Sequence, residues 1–278
     1  MIKRPLTDEE RVKPYAKYYD RPMTAPDPLL LAATRSEPIP PEQMLYPDRV
    51  EMLFQDAPEN DLVGWGIMKD GFGYVSSRIW MPGVTPQMLA WWFAWHPLED
   101  LRYMLWYPGR HFSAGLSEAD RNKILDPSLD LPEKIADVTH IIQEDSREND
   151  ALTEIPPAFR ISFRRPEELG IRPEWIGYPE QGFAVIASPH RNPDGSLPAR
   201  PRIMLHTART AEGGVVFRSR FWMGGYVLIN GRAEHIGAGT PTPADAPKRL
   251  LEHSIREYTN LASFLPQLYR EMKGRLEA

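Results

Sequence analysis

The sequence predicts an α+β protein, a curved antiparallel sheet around one long C-terminal helix, with an N-terminal extension. Three observations predict it. Strand-like segments recur through the middle of the chain, from Val138 to Leu228. One strongly periodic apolar stripe follows, between Ala244 and about Met272. The first fifty residues are instead dense in proline and charge. A run of strands followed by a helix is the α+β pattern, and a sheet gripping a helix leaves a cavity of the kind that holds apolar ligands.

The elements are justified in chain order. Pro14, Pro22, Pro26, Pro28, Pro38, Pro40 and Pro41 prevent long helices near the start, so that segment reads as an arm or loops wrapped on the body. Between Glu59 and Trp80, Val63, Trp65 and Ile67 alternate ahead of Lys69-Asp70-Gly71-Phe72-Gly73, which predicts a β-hairpin. Pro86 to Asp100 reads as an apolar helix that Pro97 ends or kinks. Strands are predicted over Val138–Gln143, Phe159–Phe163, Gly182–Ser188, Arg202–Thr207, Val215–Phe221 and Tyr226–Leu228. In the final helix, Leu250, Leu251, Ile255, Tyr258, Leu261 and Leu265 recur at helical spacing, with Pro266 expected to bend or interrupt the last part.

Composition narrows the chemistry. The 278 residues are 42% hydrophobic and 26% charged, enough for a sizeable core. A net charge of −5 without a Lys/Arg stripe argues against a nucleic-acid partner. No apolar run reaches the roughly 18–20 residues of a membrane span. The opening MIKRPLTDEERVKPY has no apolar segment of a secretory signal, so the expected compartment is the cytoplasm. There is no cysteine, which removes disulfides, thiolate nucleophiles and Cys-based zinc sites. Any metal must be held by histidine and carboxylate.

His253-Ser-Ile-Arg-Glu257 is the strongest local signal, because a spacing of four puts both side chains on one helix face, within reach of one ion. Alone, it reads equally well as a surface pair. His111 follows the apolar run Tyr103-Met-Leu-Trp-Tyr; Glu144 follows Ile141-Ile142 at a strand end, with Asp145 beside it. Read by themselves, these are a hydrogen-bonded structural histidine and a solvated strand end. His96, His140, His190 and His235 show no partner pattern and read as structural or exposed, and Trp91, Trp92, Trp95 and Trp106 as core and pocket wall. No GxSxG elbow, P-loop or dinucleotide fingerprint is present.

YMLWYPGRH (Tyr103 to His111), HIIQED (His140 to Asp145), HTARTAEGGVVFRSRFWMGG (His206 to Gly225) and HSIRE (His253 to Glu257) occur in that order. Together they resemble the 2,4-diacetylphloroglucinol hydrolase / phloretin hydrolase family, over roughly Asp56 to Tyr269. The resemblance implies a START-like helix-grip domain at 56–278, with residues 1–55 as an arm used in dimerisation, hence a homodimer. It implies Zn2+ held by His111, Glu144, His253 and Glu257, with Asp145 or Glu148 as alternatives to Glu144 after a small alignment shift. It implies hydrolysis of the C–C bond between an acyl carbonyl and a polyhydroxylated ring in a small polyphenolic aryl ketone, by metal-activated water. Tyr103 and His206 are expected to contact the phenolic oxygens and assist proton transfer. Two positions depart from the family: Ala114 stands where an asparagine is expected and Phe221 where a second substrate-facing tyrosine is, favouring a bulkier or less polar acyl side. The competing expectation is a non-catalytic helix-grip protein that carries an apolar aromatic ligand and needs no convergent ligand set.

Overall fold

The computed structural model describes residues 3–55, 62–146, 155–189, 196, 201–236 and 241–277. The proline-dense start forms three short helices, α1 (Asp8–Arg11), α2 (Lys17–Asp20) and α3 (Pro28–Ala32). The predicted hairpin is β1 (Gly64–Ile67) and β2 (Gly73–Pro82), paired antiparallel. Its turn passes through Gly71 at φ +84°, a left-handed conformation that a side chain would strain.

α4 (Pro86–Trp95) starts where the Thr85 hydroxyl accepts from the Met88 amide and Pro86 occupies the first turn. Pro97 ends it as expected, in one 3-10 turn over His96–Leu98, and α5 (Asp100–Met104) follows. Next come β3 (His111–Gly115), α6 (Glu118–Leu125), α7 (Leu131–Ile135), β4 (Thr139–Glu144), β5 (Phe159–Arg164) and α8 (Pro173–Ile176). β6 (Gly182–Ala187), β7 (Arg202–Ala211), β8 (Gly214–Met223), β9 (Tyr226–Ile229) and β10 (Arg232–His235) complete the strands, and α9 (Ala246–Glu271) the helices.

Eight of the described strands form one antiparallel sheet in the order β1-β2-β8-β7-β6-β5-β4-β3. Its two edges, β1 and β3, would lie roughly 34 Å apart if the sheet were flat. Yet the Lys248 ammonium sits 5.7 Å from the Trp65 ring of β1. His253, little more than a turn along α9, meets His111 of β3 at 3.3 Å. A helix only about 10–12 Å across can touch both edges within so short a stretch only if the sheet curls around it. The predicted curved sheet on a long helix is therefore observed.

α9 runs on through Pro266, against the expectation of an interruption. The missing N–H removes one helical bond, but Leu261, Leu265 and Leu268 are fully buried on both sides of it, and packing overrides the local defect.

The main core gathers Trp91, Trp92 and Trp95 of α4 between the sheet and α9, all three without exposed surface. The N-terminal arm is part of this core. Tyr15 stands edge-on to Trp95 at 5.0 Å, and Tyr18 packs on Phe264 of α9 at 5.6 Å. Each such burial contributes about 1.5–3 kcal/mol, enough to seat the arm. Among the described residues, no helix is long and apolar enough to cross a membrane.

Candidate metal centre and its cavity

α9 brings His253 and Glu257 to the site on its inward stripe, where both are buried. The His253 ring is stacked on Tyr107 at 4.9 Å. From the opposite side, the first residue of β3, His111, is the direct antiparallel partner of the last residue of β4, Glu144. The two hydrogen-bonded strands thus deliver one imidazole and one carboxylate side by side.

The donor atoms converge. His111 Nε2 lies 3.3 Å from His253 Nε2, 3.5 Å from Glu257 Oε2 and 3.6 Å from Glu144 Oε2. His253 Nε2 lies 3.8 Å from Glu257 Oε2. Four donors at the 2.0–2.2 Å of zinc sit roughly 3.3–3.6 Å apart in a tetrahedron, so the donor set fits such an ion. His111, Glu144 and His253 offer atoms that all lie within 4.8 Å of one another, a group that can hold a metal ion. Glu257 borders this trio through both histidines.

Surrounding groups orient the donors. His111 Nδ1 faces the Tyr103 carbonyl at 3.3 Å, which places the ring proton on Nδ1 and leaves the Nε2 lone pair inward. Burial, and then the neighbouring His253, holds His111 well below the usual histidine range, so it is neutral as a ligand must be. Asp145, the alternative to Glu144, is engaged elsewhere. Its carboxylate forms a buried ion pair with Arg110 at 3.5 Å and its amide donates to the Arg110 carbonyl. The other alternative, Glu148, lies outside the described residues.

Tyr103, on α5, donates its hydroxyl to the Glu144 carboxylate while its ring lies against His111. Burial, and then the Glu144 charge, raises the phenol well above its ordinary range and keeps the proton on it. Tyr103 therefore acts on a carboxylate of the cluster from within the cavity wall.

The cluster opens into a cavity of about 890 Å³ lined by Tyr103, Glu144, His206, Phe221, His253 and Glu257 among others. That volume is near the upper end of small-molecule sites, about 300–1,000 Å³. His206 lies on its wall, but both ring nitrogens are taken. Nδ1 is 2.9 Å from the Ser219 hydroxyl and Nε2 is 2.8 Å from the Tyr258 hydroxyl. The hydroxyl presented beside His206 is thus that of Tyr258, which helical spacing alone assigns to the apolar stripe. Its position next to Glu257 was the available signal. Phe221 stands edge-on to His206 at 5.5 Å and lines the cavity.

Ala114 does not reach the cavity. On β3 it pairs with Ile142 and is buried in the core, and Ile142 forms the wall in its place. Two histidines set aside in the sequence, His96 and His140, do line the cavity. His235 is exposed, and His190 lies outside the described residues.

The chain is similar to several known proteins. A family model described as "DAPG hydrolase PhiG domain" matches residues 45–270. Phloretin hydrolase of Eubacterium ramulus is 32% identical over 275 residues, covering 98% of this chain and 95% of the relative. A 2,4-diacetylphloroglucinol hydrolase of a Pseudomonas species is 29% identical, covering 94% of this chain and 89% of the relative. Among solved structures, Ara h 8.0201 aligns with 71% of this chain and 99% of its own, at a TM-score of 0.41 and 8% identity.

Proposed function

The chain belongs to the DAPG hydrolase family, and from that premise we propose that it is a zinc-dependent hydrolase of aryl ketones. The bond cleaved joins an acyl carbonyl to a polyhydroxylated ring, as in an acylphloroglucinol or a phloretin-like ketone. Water adds across it, yielding the free ring and a carboxylic acid. One observation carries the reading: three donors from distant parts of the chain, His111, Glu144 and His253, gather at the wall of a large cavity.

The ligand set would be these three with Glu257. A zinc ion held there supplies Lewis acidity toward a carbonyl and lowers the pKa of water toward 7. The protein's own groups do the rest. Tyr103 fixes the Glu144 carboxylate, and the Tyr103 carbonyl fixes the tautomer of His111. The departing ring carbon needs a proton, and the phenols at hand are Tyr103 and Tyr258. Tyr258 is kept protonated by burial, and then by Glu257 and Glu144. His206, pushed down to about 3 by burial, stays neutral and holds that phenol in place, which makes it a positioning residue for proton transfer to the ring. Phe93, Phe163 and Phe221 give the cavity the apolar faces an aromatic ring packs against.

The curled sheet on α9 supports a START-like helix grip for residues 56–278, with residues 1–55 as the arm. A homodimer through that arm is proposed from the family resemblance, and the exposed Val12 and Leu29 give it apolar surface to bury. Sedimentation of purified protein at twice the monomer mass would support it, and a monomer at micromolar concentration would reject it.

Elemental analysis together with assays on acetylphloroglucinols and phloretin tests the function. The expected result is one zinc per chain and release of the free ring and acid. Full turnover after thorough chelation, or no turnover of any of these ketones by zinc-loaded protein, rejects it.

A further inference from the structure

Buried polar atoms are almost always hydrogen-bonded, and an exception marks a place where something else completes the pairing. His140 is such an exception inside the cavity wall. Its side chain is 1% exposed, and Nε2 has no hydrogen-bond partner among the described residues. Thr139, Ser162 and the Nδ1 of His96 are already hydrogen-bonded, Thr139 and Ser162 to each other at 3.0 Å and His96 Nδ1 to the Trp92 carbonyl at 2.8 Å. The rings around His140 are apolar or neutral. Phe163 tilts over it at 4.5 Å and His96 stands perpendicular to it at 5.1 Å. A half-turn of the imidazole exchanges its nitrogen and carbon edges without altering its outline, so an unpaired nitrogen can be offered to the cavity at little steric cost.

Position says what would meet it. His140, Ile142 and Glu144 share the inward face of β4 and all line the cavity. Four strand steps separate His140 from Glu144 by about 13 Å along the backbone, less the reach of the two side chains. An acetyl group bound with its carbonyl at the cluster ends one carbon away and falls short. A propanoyl arm carrying a phenol extends much further, and the walls near His140 are aromatic.

We propose that His140 is a specificity-determining residue for the acyl arm, hydrogen-bonding a phenolic hydroxyl at the arm's far end, so that arylpropanoyl ketones are taken in preference to acetyl ones. The placement of the carbonyl rests on the hydrolase reading above. Burial pushes His140 well below the usual histidine range, so the group offered is a neutral imidazole, able to donate or accept.

Phloretin and its analogue without the arm hydroxyl, assayed with wild type, His140→Phe and His140→Gln, test the assignment by kcat/KM and by calorimetric Kd. In the wild type the hydroxyl is expected to be worth about tenfold in both. In His140→Phe, which keeps a ring against Phe163, the ratio between the two ligands falls toward one; His140→Gln, with a donor and an acceptor of its own, keeps part of it. A wild-type ratio near one, or a ratio unchanged in His140→Phe, overturns the proposal. So does a His140→Phe protein that melts well below the wild type, since removing an unpaired buried nitrogen should not destabilise the fold. If neither ligand is turned over, the hydrolase reading falls while the ratio of binding constants still decides the role of His140.

Discussion

The phenol ring of Tyr103 lies flat against the imidazole of His111, centroids 4.2 Å apart and planes within 6°. The same phenol donates to Glu144, the strand partner of His111. One residue thereby sets the orientation of two donors. Tyr103→Phe keeps the stack and removes the hydroxyl. Its zinc dissociation constant is expected to rise about 10–100-fold, the usual cost of losing an outer-shell partner, as read by competition with a chromophoric chelator. Unchanged affinity would mean that Glu144 is held by other groups.

Glu144 and Asp145 are adjacent but engaged differently, which separates ligand from latch. Glu144→Ala is expected to lose zinc with little change in the stability of the metal-free protein. Asp145→Ala breaks the buried Arg110–Asp145 ion pair, and breaking such a pair costs about 3–5 kcal/mol. Urea denaturation with zinc analysis of both variants distinguishes them. The opposite pattern would make Asp145 the ligand.

Tyr258→Phe removes the hydroxyl that meets His206 Nε2. If that phenol delivers the proton to the ring, kcat falls by about 10²–10⁴-fold while zinc stoichiometry stays the same. A kcat within a fewfold of wild type would transfer the role to Tyr103.

Acid should destabilise the fold through histidines outside the ligand set. Burial pushes His96 and His206 down to about 3, against 6.5 for the ordinary side chain. Between those values the unfolded chain binds protons that the folded one does not. Their contribution is therefore complete above pH 6.5 and is lost as pH falls toward 3, at up to about 1.4 kcal/mol per pH unit for each. His96→Leu is expected to show an acid limb shallower by that amount in denaturation series on metal-free protein. An identical limb would mean that His96 is already solvated in the fold.

Local physics made much of this legible in the sequence. The helical stripe of α9 carries its own period, and the spacing of His253 and Glu257 places them together without knowledge of anything else. The alternation around Trp65 and the Gly71 turn likewise specify the hairpin. β3 was not legible, because a five-residue segment with a bulge after His111 is a strand only by virtue of its pairing with β4. The short α6 and α7 have sound N-caps in Ser117 and Asp130 but are too short to show a helical period. The roles around His206 were equally hidden. Its two partners come from the neighbouring strand and from a helix 52 residues away, so only the assembled fold shows that both nitrogens are occupied.

The contact between His111 and His253 joins positions 142 residues apart. Loops of that size carry a large entropic cost of closure, and contacts so remote in sequence form late. An ion captured by these side chains would act as a rivet between the sheet's last edge and the helix it wraps, slowing their separation long after folding. Loading would then report that assembly had finished, because a chain with its ends still apart has only half a coordination sphere to offer.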